Sequence, residues 1–384
     1  MANNIDNLIP DLYNALDVVS RELVGFIPAV TSDMTFERAA VGQTVRSPVA
    51  PASTATDINP DVTPPDDGDQ TIGNVNMTIT KARRVPVRWN GEQSRGLDNN
   101  GPGRSRIMVD QFAQAMRTLA NEVETDLAAL HVHASRAIGS AGTTPFGTAG
   151  DFTDAATALK VLKDNGAPTG DSSLIMDTSA GANLLGLQSR YDIAGDVTMQ
   201  NQGIIINKAG LALRESAQIV TSVAGTGSSA TTDSAGYAVG DTVITLASAG
   251  TGTILAGDVI TFAGDSNQYV VASGDGDVSN GGTITLAAPG LRQAIPGSAT
   301  NITVVSASAR NMAFARSAIA LATRAPALPQ EGDAADDRMI ITDPRSGLSF
   351  EVSMYKQYRQ VQYEVALAWG VKAVKPEHIA LLLG

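Results

Sequence analysis

Three histidines and one dense acidic group are the residues of this chain whose types could do chemistry. His131 and His133 stand two residues apart, His378 lies near the end, and no cysteine is present. A zinc pair on a helix needs ligands at i and i+4 on one face, with a third from elsewhere. A spacing of two turns the rings in different directions, so both are expected to be solvent-facing or satisfied helix residues. His378 sits among apolar residues and is expected to be packed or bound to backbone. Glu122, Glu124 and Asp126 are also two apart. Glu122 and Asp126 share a helix face, where like charges mildly repel. Nothing singles out an acid–base pair among them, and solvated or intersubunit pairing is the expectation. GDGDVSNGG at 274–282 lacks the spacing and closing glutamate of an EF-hand loop. It has no second copy, as a calcium-binding repeat roll would require, and reads as a β-turn. GTGSSATTD at 225–233 has no lysine for a phosphate loop. These readings predict a non-enzyme, with no catalytic residues, cofactor or metal site.

The 39 acidic and 27 basic residues give a formal net charge of -12 over 384 residues. That balance opposes a conventional nucleic-acid binder, which presents a dense basic surface. It fits a container wall that must not grip packaged nucleic acid and an ordinary soluble acidic protein equally, and net charge does not separate the two. The lack of cysteine excludes disulfides and thiolate metal sites. Aromatic residues make up only 4% of the chain and glycine reaches 37, so small residues must fill much of the packing. The first residues have no basic patch followed by an apolar run, and no signal peptide is expected. No stretch of about 18 charge-free apolar residues occurs, and no membrane span is expected.

The elements that would position these residues are dominated by one helix. Val109, Phe112, Met116, Leu119, Val123, Leu127, Leu130, Ala134 and Ile138 follow one another in steps of three or four, the helical period. This predicts a spine helix over 104–138, about 50 Å long, opened by Gly101–Pro102–Gly103 and stopped at Gly139 and Gly142. Met116, Leu119, Val123 and Leu127 should form its buried stripe, packed on strands around Val365, Leu367 and Trp369. Upstream, Leu12, Leu16, Val19 and Leu23 share a face of a short helix after Pro10, and 36–46 reads as a strand with a turn at Gly42. The acidic loop DINPDVTPPDDGDQ at 57–70 precedes an alternating strand through Val75, Met77 and Ile79. Lys81, Arg83, Arg84 and Arg88 follow. The unit reads as a long hairpin with an acidic tip and a basic return arm. It is either a surface hairpin with solvated charges or an arm reaching a neighbouring subunit. In the second case Asp66, Asp67, Asp69, Arg83, Arg84 and Arg88 set the register as assembly contacts.

Helix and strand patterns alternate over 151–220, implying a mixed α/β domain. Ala155, Ala158, Leu159 and Leu162 face inward on one helix, and a second helix is capped near Asp177 or Thr178. From about 221 to 305 there is no lysine and only one arginine, Arg292. TVITL, GDVITFAG, QYVVASG and TITLA in this stretch are short β-branched runs bounded by turn residues. They predict a small all-β module, a barrel or sandwich, with Val243, Ile244, Leu246, Val259, Ile260, Phe262, Tyr269, Val271, Ile284 and Leu286 as its apolar strand positions. Its leading segment at 221–236 reads as a flexible connector. Helical and charged character resumes after 306, so the module is expected to be inserted into a parent domain. Long strands at 348–367 and a packed apolar tail close the chain.

LANEVETDLAAL at 119–130, VALAWGVKAVKPEHIALLL at 365–383 and GDVITFAGDSNQYVV at 257–271 together resemble the major capsid proteins of tailed bacteriophages, in particular the P22-like coat proteins. The resemblance implies an α+β chain with the HK97-type capsid fold: long spine helix, extended E-loop hairpin and inserted all-β domain. By analogy 1–45 is an N-terminal arm, 46–95 the E-loop and 96–149 the peripheral domain with the spine. Residues 150–221 and 307–345 form two parts of an axial domain, 222–306 is the inserted β domain, and 346–384 returns to the peripheral domain. The implied function is self-assembly, as hexamers and pentamers, into an icosahedral shell enclosing the phage double-stranded DNA genome without sequence-specific binding. Scaffolding, portal and decoration proteins are the implied partners, with no membrane. The implied site is the virion, after assembly in the host cytoplasm. Cross-linked members of the fold join a lysine to an asparagine. Here Lys81 is the only lysine of 46–95 and lies away from the tip, so non-covalent assembly is implied. The same fold also builds encapsulin compartments. A carbohydrate-active enzyme with a β accessory module is the alternative from another class, although Trp89 and Trp369 are the only tryptophans for sugar stacking.

Overall fold

The computed structural model describes residues 25–49, 72–100, 104–147, 152–188, 210–342 and 348–384, with four single positions between 55 and 60. The expected helix after Pro10, the acidic tip with Asp66, Asp67 and Asp69, and Gly101–Gly103 lie outside the described residues. The chain is α+β, as the resemblance implies.

Strand β1 (Thr31–Ala39) runs into a turn at Gly42 and then β2 (Thr44–Val49). Gly42 has φ 91°, a left-handed conformation that glycine adopts without steric cost. Strand β3 (Gly73–Thr78) pairs antiparallel with β2 from Thr44↔Thr78 to Val49↔Gly73. These two strands make a separate two-stranded ribbon. Strand β4 (Lys81–Asn90) follows directly. It is not the ribbon's return arm, because it leaves the ribbon and enters a larger sheet. The expected basic return arm is thus corrected: β3, which returns, carries no basic residue.

Helix α1 (Gly91–Asn100) leads to the spine, α2 (Arg104–Ala128). At 1.5 Å per residue α2 is about 37 Å long. The chain then tightens into a 3-10 segment, Ala129–His133, and becomes β5 (Arg136–Ile138). The spine therefore ends ten residues short of the predicted 138. Leu130, Ala134 and Ile138 continue the three-and-four spacing by coincidence, and Gly139 turns the end of a strand, not of a helix.

Helix α3 (Thr153–Asp164), strand β6 (Ser172–Met176), helix α4 (Thr178–Gln188) and strand β7 (Ala212–Glu215) form the expected mixed segment. Ala155, Ala158, Leu159 and Leu162 are buried in its core beside Leu174, Met176 and Leu184. Asp177 caps α4 through its carboxylate, which accepts from Ser179 N and Ala180 N at 3.3 Å.

The module contributes β8 (Ala230–Thr231), β9 (Val243–Leu246), β10 (Val259–Phe262), β11 (Gln268–Ser273), β12 (Gly282–Leu286) and β13 (Asn301–Val304). It has its own apolar core around Ile244, Leu246, Ile260, Phe262, Tyr269 and Ile284. Val243, one of the apolar strand positions, is exposed. The segment 221–236 is no free connector. Ser228 pairs with Thr251, Thr232 with Leu246, and the buried Asp258 accepts from Gly225 N.

Strands β14 (Arg310–Ala315), β15 (Ile319–Pro326), β16 (Asp337–Thr342), β17 (Ser349–Gln357), β18 (Gln360–Ala373) and β19 (Ile379–Leu383) complete the chain. One sheet runs β1-β15-β18-β17-β16, with β4 also paired to β18. The expectation that 307–345 belongs with the second domain is corrected for β15 and β16, which lie in this first sheet. The other sheet has eleven strands in the path β7-β6-β14-β19-β5-β11-β10-β13-β8, with β12 and β9 branching from β11. The inserted module is thereby fused to its parent: β11 pairs with β5 through Gln268↔Ala137 and Tyr269↔Arg136. The apolar tail is packed, as expected, since every residue of β19 is buried.

Candidate functional site

Two features stand out among the described residues: the ribbon with the charged strand beside it, and the seat of residues 25–30. The ribbon is anchored at its base. Met77 and Ile79 are buried against Ala39, Ala322 and Ala368. Gly370 allows this approach, because a Cβ there would lie 2.1 Å from Thr78 O. Lys372 Nζ donates to Asn76 O at 2.8 Å. Further out, Ile72, Gly73 and Asn74 are exposed. The ribbon is an extended element whose outer half buries little on its own chain among the described residues.

The basic residues expected at the ribbon lie on β4, ladder-paired with β18 from Gln360↔Asn90 to Trp369↔Lys81. Successive residues of a strand face opposite sides, and the charges divide accordingly. Lys81 pairs with Asp126 of the spine at 2.6 Å, and Arg83 approaches Glu122 at 3.7 Å. On the opposite face Arg84 pairs with Glu364 at 2.6 Å and Arg88 donates to Gln362 at 3.1 Å. The partners of these residues are in the same chain. Side-chain exposure remains 60% for Arg83 and 58% for Arg84, so solvent screens both pairs.

The spine holds this sheet from beneath. Met116, Leu119, Val123 and Leu127 are 0–1% exposed and share one core with Val365, Leu367 and Trp369. Phe112 meets Tyr363 edge-on with centroids 5.6 Å apart. Polar pins complete the contact. Trp369 Nε1 donates to Asp126 Oδ2 at 2.8 Å, and Trp89 Nε1 donates to Gln111 Oε1 at 2.9 Å. Asp126 thus joins helix, β4 and β18 at one point.

Sequence reasoning missed the role of Glu124. It is 1% exposed, and its carboxylate receives the start of the described chain. Phe26 N donates at 2.9 Å to Oε1 and 3.1 Å to Oε2, Ile27 N at 2.8 Å to Oε1, and Ser216 Oγ at 2.9 Å to Oε2. Burial pushes its pKa above the ordinary carboxylate value, and these donors pull the other way. Phe26 itself is buried, with its ring parallel to Phe314 at 6.2 Å. A helical acid spaced two residues from its acidic neighbours gave no signal of this clamp.

His131 is buried, with Nδ1 3.2 Å from Ala128 O, and burial lowers its pKa. His133 lies on the same 3-10 segment, not on a helix, and burial lowers its pKa too. His378 is buried beside β19. In the 274–282 turn, Asp277 accepts from Ser279 N, Ser279 Oγ and Asn280 Nδ2. Among the described residues no three metal-ligating side chains converge, and no helix is long and apolar enough to cross a membrane.

No family model and no curated protein matches the chain. Solved structures do match in shape. The chain is similar to a capsid subunit of the cyanophage P-SCSP1u, at 13% identity and TM-score 0.49, over 94% of this chain and 88% of that one. It is similar to the mature capsid protein of bacteriophage PhiM1, at 9% identity and TM-score 0.45, over 94% and 86%. A virus-like particle from Pyrococcus furiosus gives 10% identity and TM-score 0.44, over 97% and 98%.

Proposed function

We propose that this chain is a major capsid protein of the tailed-phage type, a structural subunit that assembles with copies of itself into a closed shell. The observation that carries the reading is the ribbon. Its base is pinned to a rigid body of spine and sheet, while its outer half extends from that body. An extended antiparallel pair is at best marginally stable alone, so its natural complement is the surface of another subunit. The order of the elements supports the same reading: arm, ribbon, spine, mixed domain, inserted β module and returning strands follow the order that the resemblance implies.

In this shell the ribbon is the E-loop and reaches over a neighbouring subunit. Its tip, with Asp66, Asp67 and Asp69, faces basic groups there. Arg83, Arg84 and Arg88 are shared between their partners in the same chain and acidic groups of a neighbour. The interior holds double-stranded DNA condensed by its own counterions, and the net acidic chain contributes no base readout. A scaffolding protein and a portal protein assist assembly in the host cytoplasm, and the virion is the final location. The test is the content of particles purified after nuclease treatment. Protected double-stranded DNA fits the capsid reading; a uniform protein cargo without DNA would replace it with a compartment shell.

A further inference from the structure

A cleft of about 390 Å³ opens at the start of β6. Ser172 and Ser173 form part of its lining, set between Ala212 of β7 and Ala315 of β14. Pro28 and Ala29 of the arm line another part, and Arg214, Arg316 and Asp171 supply its charged groups. Ala212 and Arg214 are two apart on β7, so they share the face that Ile175 presents to the arm.

The arginines of the described chain divide into those with a carboxylate partner and those without, the latter including Arg88, Arg292 and Arg310. Arg38, Arg83, Arg84, Arg136, Arg324 and Arg338 each have a carboxylate partner. Arg214 and Arg316 have none among the described residues. Arg214 Nε is buried without an acceptor. Arg316 spends Nε on Val30 O at 3.4 Å, and its backbone N donates to Asp171 O at 2.8 Å. The Asp171 side chain is exposed. The cleft therefore holds two guanidiniums against one solvated carboxylate.

A planar guanidinium matches a tetrahedral oxyanion with two parallel hydrogen bonds. The cleft, at about 390 Å³, is near the lower size limit of small-molecule sites and large enough for a phosphate group. We propose that it binds a phosphate oxyanion, held by Arg214 and Arg316 with Ser173 beside them. Because Pro28 and Ala29 line the cleft and Arg316 holds Val30, an occupied cleft braces the exit of the arm. Phosphate binding to the chain does not depend on whether the chain builds a shell.

The test is titration of the purified full chain, at constant ionic strength, with inorganic phosphate. A second arm uses a 5′-phosphorylated single-stranded oligonucleotide beside its unphosphorylated twin. Saturable binding of either phosphate probe is expected, with a raised Tm and slower proteolysis of the arm. Arg214→Gln and Arg316→Gln should each weaken binding at least about tenfold. Arg214→Lys, which keeps charge but loses the fork, should fall between. Binding of the phosphorylated strand alone would assign the oxyanion to a nucleic acid; binding of free phosphate would assign it to a small ligand. No binding beyond a sodium chloride control, or full binding in both Gln variants, would overturn the site. So would variants that impair subunit association while neither probe binds the native chain, since the cleft would then serve a neighbour's carboxylate.

Discussion

Glu124 offers the sharpest test of how the arm is held. Replacing it with Ala removes the acceptor for Phe26 N, Ile27 N and Ser216 Oγ at once. Each buried donor left unsatisfied costs about 1–3 kcal/mol. The arm can escape that penalty by lifting into water, but it then exposes Phe26, Ile27 and Val30, which are 0–1% exposed. Exposing each costs about 1.5–3 kcal/mol. Either route predicts a loss of about 3 kcal/mol or more for Glu124→Ala. Glu124→Gln keeps one carbonyl acceptor and should lose about 1–2 kcal/mol. Urea unfolding measures the loss, and limited proteolysis at residues 25–30 reports release of the arm. A pH series adds an independent sign. Burial raises the carboxyl pKa above its ordinary 4.5, so the native chain binds this proton more tightly than the unfolded chain. Its contribution to stability is then greatest below that ordinary value and declines as pH rises through the raised one. Glu124→Gln does not titrate, so its deficit should shrink as pH climbs through that window. A change under about 0.5 kcal/mol in Glu124→Ala, with an unchanged cleavage pattern, would refute the clamp.

Other outcomes follow from the same contacts. Leu119→Ala should cost about 2–5 kcal/mol in urea unfolding, because Leu119 is 1% exposed in the core beneath β18, and it should lower soluble yield before it alters particle shape. Reversing Arg83 and Arg84 to Glu should cost folding only about 1–2 kcal/mol, since both pairs are screened, yet it should weaken particle assembly and change its salt response; normal assembly would show that this face makes no neighbour contact. Tyr269 donates to Asp265 at 2.6 Å and accepts from Arg292 N at 3.0 Å. Burial and Asp265 push its pKa up to about 12, so ultraviolet titration should show a late-ionising phenol that Tyr269→Phe removes, while Tyr237 and Tyr355, also raised by burial, keep theirs.

What could be read beforehand was whatever a single element reports about itself. The stripe Met116–Leu119–Val123–Leu127 follows from spacing, since one face of a helix must be buried whatever covers it. The end of that helix did not follow. Leu130, Ala134 and Ile138 keep the helical spacing, and only the pairing of β5 between β19 and β11 draws the chain into a strand. The basic run at 81–88 announces a strand, but its partner is β18, some 280 residues later. No local pattern separates a ladder partner from a hairpin arm. The composition change at 221 marks the module, because a segment without lysine stands out. Its fusion to the parent sheet is invisible for the same reason as the β4 pairing: backbone ladders carry no sequence signature. Gly and Ser at 221–236 suggested mobility, yet Gly225 and Gly227 approach Thr253 O so closely that any Cβ would lie within 2.5 and 3.0 Å of it. There glycine serves close packing, not freedom.

The central claim is that the chain builds closed shells through its ribbon. Negative-stain electron microscopy of the purified chain, expressed alone and with a scaffolding protein, tests it most directly, compared with a variant in which a short turn replaces residues 50–72. The account predicts uniform closed particles from the native chain, and folded but unassembled subunits from the variant. A native chain that stays monomeric under every condition, or a shortened variant that still closes into particles, would contradict it.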